Sequence, residues 1–190
     1  MELYLIRHPR PDIAPDVCYG RSDIALAEDP HAVAARLRPL LPADAACYSS
    51  PLSRARLLAE ALATPQIDAR LAEIDFGDWE MQTFAAIGAG IDDWQRDPLG
   101  FRPPGGESLR DLALRVGGWL AEAQGRHTPS EAVVIVAHGG PLSVIAGTLL
   151  GLPAERWLGL DFACGHLSRI DVQPWGALLR SFNLPGAVSK

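Results

Sequence analysis

Two short apolar runs constrain this chain more than any other feature: Leu3 to Ile6 near the start, which leads into Arg7-His8, and Ala132 to Ala137, which leads into His138-Gly139-Gly140. Neither alternates with polar residues, and neither is long enough for an independent helix. Such runs read as strands buried on both faces. A strand covered on both faces belongs to a mostly parallel sheet with helices packed above and below it. Ala45 to Tyr48 is a third run of this kind, also followed by a polar turn.

Helix signals fill the spaces between them. Asp29-Pro30 joins an N-cap to a first-turn proline, ahead of a helical stretch to about Leu41. Ser53 opens a second helix with Leu57, Leu58, Ala61 and Leu62 as its apolar positions. From Ser108 to about Ala123, Leu109, Leu112, Val116, Trp119 and Leu120 recur at helical spacing, and Pro141 can open a helix that runs to Leu150 and stops at Gly151. Leu167 to Val172 and Ala177 to Phe182 flank Pro174-Trp175-Gly176 as a hairpin. The alternation predicts the α/β class, a three-layer α/β/α sandwich with a mostly parallel central sheet. A chain of 190 residues suits a single domain, residues 1–190, with a glycine- and proline-rich, loop-rich insertion at about 76–107 over the site.

Composition removes several function classes. A formal net charge of -6 argues against broad nucleic-acid binding, so an anionic substrate must be drawn by a local cluster. Lys190 is the only lysine, which removes the phosphate-binding lysine of a P-loop kinase or ATPase. The apolar runs fall far short of the roughly 20 residues that span a bilayer, and the N-terminus lacks a basic segment leading to an apolar stretch and cleavage site. Cys18, Cys47 and Cys164 are odd in number and lack metal-type spacing. The expectation is a cytoplasmic protein with reduced thiols, no membrane or nucleic-acid partner, no metal and no cofactor.

In an α/β sheet, ligands sit beyond the carboxyl ends of the strands. Arg7-His8, Ser49-Ser50-Pro51-Leu52-Ser53-Arg54 and His138-Gly139-Gly140 all fall there. Arginine stays charged and grips phosphate oxygens in bidentate fashion, so Arg7 and Arg54 suit a phosphoryl dianion. The same charges disfavour the imidazolium form of His8, and a neutral imidazole beside a clamped phosphate is a competent nucleophile. Backbone N–H groups at the helix start after His138, Gly139 first, can add anion stabilisation. A cysteine phosphatase is set aside, because one residue too many separates Cys47 from Arg54 and that loop lacks the glycines that turn amides toward phosphate. Aspartate-phosphatase Asp-x-Asp motifs are absent. His31, His127 and His166 have no motif partners and read as structural; Trp79, Phe84, Trp94 and Phe101 read mostly as core, with one reaching the pocket.

The ordered set Leu5-Ile6-Arg7-His8, Ser50-Pro51-Leu52-Ser53-Arg54-Ala55, Leu71 to Glu80, Pro104-Gly105-Gly106-Glu107-Ser108 and Val136-Ala137-His138-Gly139-Gly140 resembles the histidine phosphatase superfamily, the phosphoglycerate-mutase-like proteins. The resemblance spans nearly the whole chain. It implies phosphomonoester hydrolysis in which His8 becomes phosphohistidine, Arg7, Arg54 and His138 hold the phosphoryl group, and Glu73 donates the proton to the leaving group, with no metal. Glu80, seven residues further on, is the rival acid, and Glu107 contacts the substrate or caps the following helix.

One position departs from the pattern: Pro9 stands where the family usually has glycine, followed by Arg10-Pro11. Proline keeps a carbonyl that can accept a hydrogen bond from the His8 ring and fix its tautomer. Within the superfamily, Cys18 to Leu26, with Arg21 as a substrate-binding candidate, and Pro104 to Ser108 resemble the small α-ribazole-5′-phosphate phosphatases of cobalamin synthesis. The alternatives are a broad-specificity small-molecule phosphatase, a phosphoglycerate mutase, and a phospholigand-binding regulatory protein with a vestigial site. The chain is compact beside the mutases, so it reads as a hydrolase acting on a small-molecule phosphate ester.

Overall fold

The two apolar runs lie side by side at the centre of the molecule. In the computed structural model, which describes residues 1–187, six strands form one sheet: β1 (Glu2–Arg7), β2 (Ala46–Ser49), β3 (Gln66–Ile67), β4 (Ala132–Ala137), β5 (Leu167–Gln173) and β6 (Gly176–Leu184). Their order is β3-β2-β4-β1-β5-β6. The pairs β3·β2, β2·β4 and β4·β1 are parallel, and β1·β5 and β5·β6 antiparallel, so the sheet is mostly parallel with an antiparallel hairpin on one side. β3 was not expected from sequence: two exposed residues have no periodicity to display.

Alternate residues of the central strands point into two separate cores. Leu3 and Leu5 of β1 join Val133, Ile135 and Ala137 of β4 on one face, against α5 (Leu109–Arg126) and α6 (Gly139–Leu149). Tyr4 and Ile6 join Val134 and Val136 on the other face, against α1 (Pro30–Leu37) and α2 (Ser53–Leu62). Period-2 geometry turns a continuous apolar run into two buried faces, which is why these strands show no alternation. The result is the expected three-layer α/β/α arrangement.

Local chemistry sets the helix ends. The Asp29 side chain accepts from His31 N at 3.0 Å, and α1 stops at Leu37, earlier than Leu41: Arg38 keeps helical dihedrals and donates to Ala34 O, but Pro39 has no N–H with which to continue the ladder. Arg38–Leu40 form a 3-10 turn instead. Ser108 caps α5 in a capping box with Asp111. α6 begins at Gly139, two residues before the expected Pro141, and Pro141 is tolerated in its first turn because no helical acceptor awaits an N–H there. The 76–107 segment carries more helix than a loop-rich stretch: α3 (Phe84–Ile87), capped by Thr83, and α4 (Ala89–Arg96), besides a 3-10 turn at Gly77–Trp79. No helix among the described residues is long and apolar enough to cross a membrane.

Candidate active site

The carboxyl tips of β2, β4 and β1, adjacent in the sheet, carry Ser50, His138 and His8. Hydrogen bonds of the sheet continue past the strand ends, His8 N donating to Ala137 O at 3.0 Å and Ser50 N to Val136 O at 3.1 Å. From the far side Gly165 N donates to the carbonyls of both Arg7 and His8. This fixes the spacing of the tips and brings the His8 and His138 rings to 5.1 Å between centroids, tilted by 54°.

Both rings are neutral, each in one tautomer. His8 Nδ1 lies 2.6 Å from the carbonyl of Pro9; a carbonyl only accepts, so Nδ1 carries the hydrogen and the lone pair is on Nε2. Burial pushes the His8 imidazole down to about 3; the Pro9 hydrogen bond works the other way, and the Arg54 and Arg7 charges lower it further. The arginine charges act in the expected direction, and desolvation adds a larger effect in the same direction. At His138, Nδ1 accepts from Arg54 Nε at 3.2 Å, so Nε2 carries the hydrogen and donates to Ser50 Oγ at 2.7 Å. Its pKa also lies well below the ordinary value, through burial first and then His8, Arg54 and Arg7.

Arg54 sits in the first turn of α2 and is completely buried. Its guanidinium donates to Gly20 O at 2.5 Å, to Ser22 O at 2.7 Å and to His138, and it lies 5.3 Å from the centre of the Tyr19 ring. A bare buried cation is very costly. Burial lowers the Arg54 pKa, with Glu73, Tyr19, Asp23 and Glu80 acting in opposition. Arg7 donates to Phe162 O at 2.6 Å, and its Nε is buried without an acceptor among the described residues. Such an orphan costs about 1–3 kcal/mol, which an anionic oxygen would relieve.

Glu73 reaches the same region from the segment before the 76–107 stretch. Its carboxylate accepts from Gly140 N at 3.2 and 3.3 Å and from Ile74 N at 3.0 Å. A Cβ at position 140 would overlap Glu73 Oε1, so only glycine allows that approach. One N–H at the start of α6 thus holds Glu73. Gly139 lies beside Arg7, and a Cβ on it would be 3.7 Å from Arg7 Cζ.

The other candidates are placed elsewhere. Glu80 is engaged by four backbone N–H groups: Arg21 and Phe76 on Oε1, Gly20 and Ser22 on Oε2. Burial acts to raise its pKa, but hydrogen bonding from the Ser22 side chain and from the N–H groups of Gly20, Phe76 and Ser22 prevails and holds it below the ordinary value. Glu107 does not cap α5, since Ser108 does; it pairs with Arg115 at 3.0 Å and Arg21 at 3.1 Å and accepts from Asp75 N. Arg21 and Glu107 are brought together with each other and with Arg115, whose guanidinium also donates to the carbonyl of Glu73 at 2.9 Å. Ser50 and the carbonyls of Phe162, Gly20 and Ser22 complete the site; Ser50 lies inside the Ser-Pro-Leu-Ser-Arg stretch and Gly20 and Ser22 inside the Cys18 to Leu26 stretch, while Phe162 left no trace in the sequence.

Beside Tyr19 opens an apolar cleft of about 460 Å³, lined by Val17, Cys18, Phe76, Trp79, Phe84 and Trp94 among others. A smaller cavity of about 130 Å³ shares Phe76 and Trp94 with it and reaches Glu73 and Gly140. Three of the four aromatic residues expected mostly in the core line the cleft, and Phe101 stacks on Trp79 at 5.3 Å.

A mostly parallel α/β sheet with two histidines and a buried arginine gathered beyond its strand tips places the chain among the α/β enzymes that act on phosphate esters. Residues 3–185 match the model of the histidine phosphatase superfamily (branch 1), and the chain belongs to that family: it is a histidine phosphatase. An alpha-ribazole phosphatase from Shigella flexneri is similar in structure, with TM-score 0.86 and 27% identity over 100% of both chains. In sequence, a protein named "Probable phosphoglycerate mutase GpmB" from Enterobacter sp. (strain 638) is 31% identical over 191 residues, 92% of this chain and 87% of its own length. A glucosyl-3-phosphoglycerate phosphatase from Mycolicibacterium vanbaalenii is 36% identical over 154 residues, 73% of this chain and 64% of its own.

Proposed function

We propose that this enzyme hydrolyses phosphomonoesters through a phosphohistidine at His8. Nε2 of the neutral ring attacks phosphorus in line while Arg7 and Arg54, with the Gly139 N–H, hold the phosphoryl oxygens, and His138 joins them by turning its Nε2–H from Ser50 Oγ to a phosphoryl oxygen. The P–O bond breaks as the N–P bond forms, and Glu73 gives its proton to the leaving alkoxide. Water then attacks phospho-His8, Glu73 takes the water's proton, and inorganic phosphate leaves. The observation that carries this reading is the 2.6 Å contact from His8 Nδ1 to the Pro9 carbonyl, which leaves the lone pair on Nε2 in a ring kept neutral by burial. The orphaned Nε of Arg7 supports an anion beside it. Rapid quenching with a radiolabelled monoester in the presence of chelator tests the proposal. The wild type should carry an acid-labile, base-stable label that His8→Ala lacks; undiminished turnover by His8→Ala overturns it.

For the leaving group we propose the α-ribazole moiety, making the reaction the dephosphorylation of α-ribazole 5′-phosphate in cobalamin synthesis. The similarity to the Shigella flexneri phosphatase supports this, as does the aromatic cleft, where a flat apolar base can stack. The carboxylate of a phosphoglycerate in that cleft would lose its hydration without gaining partners. A broad-specificity small-molecule phosphatase is the second reading, favoured because the cleft offers few polar groups to orient one substrate. Comparing kcat/KM for α-ribazole 5′-phosphate, nucleotides and phosphoglycerates decides between them. A dedicated enzyme should prefer the first by about 100-fold or more, whereas phosphoryl transfer between phosphoglycerates without phosphate release would mark a mutase.

A further inference from the structure

Glu80 is too thoroughly bound to serve as an acid, and what it binds is the segment that holds Arg54. Three consecutive N–H groups, of Gly20, Arg21 and Ser22, converge on its carboxylate at 3.0, 2.9 and 3.1 Å, and Phe76 N adds a fourth at 3.0 Å. Successive backbone N–H groups turned to one side make an anion nest, and here the anion is a side chain of the protein itself. The carbonyls of the same segment serve the opposite function. Gly20 O and Ser22 O accept from the two terminal nitrogens of Arg54, at 2.5 and 2.7 Å. One tripeptide thus has a carboxylate beneath its N–H groups and a guanidinium against its carbonyls.

The segment is closely packed at Gly20. A Cβ on Gly20 would overlap the Ile74 carbonyl and approach the Phe76 ring at 2.8 Å. Its continuation grips the Arg54 helix as well, Asp23 Oδ1 accepting from Ser53 N at 2.9 Å and Ser53 Oγ at 2.7 Å. On the Glu80 side, Cys18 exchanges backbone bonds with Met81 N and Gln82 O, both 2.8 Å, which ties the two stretches together directly next to the nest. Position passes from Glu80 through the peptide planes of Gly20–Ser22 to the guanidinium, and from Arg54 Nε to His138.

We propose that Glu80 is a positioning residue for Arg54: it sets the angle at which the guanidinium meets the transferring phosphoryl group, without touching the substrate. The proposal rests on the reading that Arg54 holds that group. Glu80→Gln keeps the shape but turns an amide nitrogen toward two of the four N–H donors, so the segment loses its anchor and Arg54 its alignment.

A double-mutant cycle on kcat/KM, with thermal midpoints measured alongside, provides the test. Glu80→Gln alone should lower kcat/KM by about 10- to 100-fold, the scale of a small misplacement of a catalytic group. In an Arg54→Ala background the same substitution should cost about 2-fold or less, because the group through which it acts is gone. Both limbs of the pH profile should stay where they are in wild type. Glu80→Asp, which keeps the carboxylate but withdraws it by one methylene, is run through the same cycle if the Gln variant does not fold. A Glu80 effect of equal size in both backgrounds, a wild-type rate for Glu80→Gln, or a moved pH limb overturns the proposal alone. An Arg54→Ala enzyme as fast as wild type overturns both the proposal and the role of Arg54 on which it rests.

Discussion

His8 is held by the residue that follows it. Pro9 has no N–H, but the group that acts on the ring is its carbonyl, and a proline supplies that as well as the glycine usual in the family. The family pattern alone makes Pro9 look like a defect; the hydrogen-bond inventory shows that the required atom is still present. Glu73, whose carboxylate rests on the N–H of Gly140, is the residue whose loss should separate the two chemical steps. Glu73→Gln should lower kcat for an alkyl phosphate by about 100-fold or more and slow an aryl ester with an acidic leaving group far less, since that group departs without a proton. Equal losses on both substrates in steady-state assays would remove Glu73 from the donor role. The sequence showed the arginine charges at His8 but not the larger effect of burial, because desolvation is a property of the packed site.

At the scale of elements, the strongest determinants are caps and close approaches. Ser108 and Asp111 close the capping box of α5, with Ser108 N and Asp111 Oδ2 2.8 Å apart. Ser108→Ala should cost about 1 kcal/mol, seen as a fall of roughly 2–4 °C in the thermal midpoint, without an effect on KM. Gly140 in α6 shows the opposite balance. Alanine is the better helix former by up to about 1 kcal/mol, yet a Cβ there would displace Glu73 and press on Leu112 Cδ2 at 2.9 Å. Gly140→Ala should therefore lower kcat by about 10-fold or more and give no gain in the thermal midpoint; a stabilised, fully active variant would contradict the contact. Capping signals were legible because they are local: Asp29 and Ser108 cap α1 and α5, and α2 begins at Ser53, whose hydroxyl donates to Asp23 and does not cap the helix. The early start of α6 and the helices α3 and α4 were not, because their signals are short and glycine-rich and their partners lie far away in the chain.

The whole molecule responds to pH through its buried histidines. The folded pKa of His8 is depressed to about 3 from an ordinary 6.5, and that of His138 is depressed too. Above pH 6.5 neither binds a proton in either state. As pH falls below 6.5 the unfolded chain takes up protons that the native state refuses, so stability is lost, by about 3 kcal/mol for His8 by pH 4.5, with His138 acting in the same direction. The carboxylates with depressed pKa values, Glu80 and Asp171 among them, lose their contributions mainly below that window, so the histidine effect stands apart. Urea midpoints should fall between pH 7 and pH 4.5, and His8→Asn should flatten the slope; a midpoint independent of pH would mean the rings are not buried neutral.

Across the molecule, sequence alone determined what depends on neighbours in the chain: the apolar runs that become strands covered on both faces, the caps, the hairpin, and the residue types beyond the strand tips. Arg7, His8, Arg54 and His138 could be named because strand-tip chemistry sits within a few residues of a recognisable run. The tertiary structure decided what depends on atoms that meet from distant segments. It joined Arg54 to the carbonyls of Gly20 and Ser22, gave Glu80 a nest of backbone N–H groups, and put Phe84 and Trp94 into the wall of a cleft beside the buried Trp79. Hydrogen-bond partners and burial are set by three-dimensional proximity, and a backbone carbonyl leaves no mark in a sequence, since every residue has one.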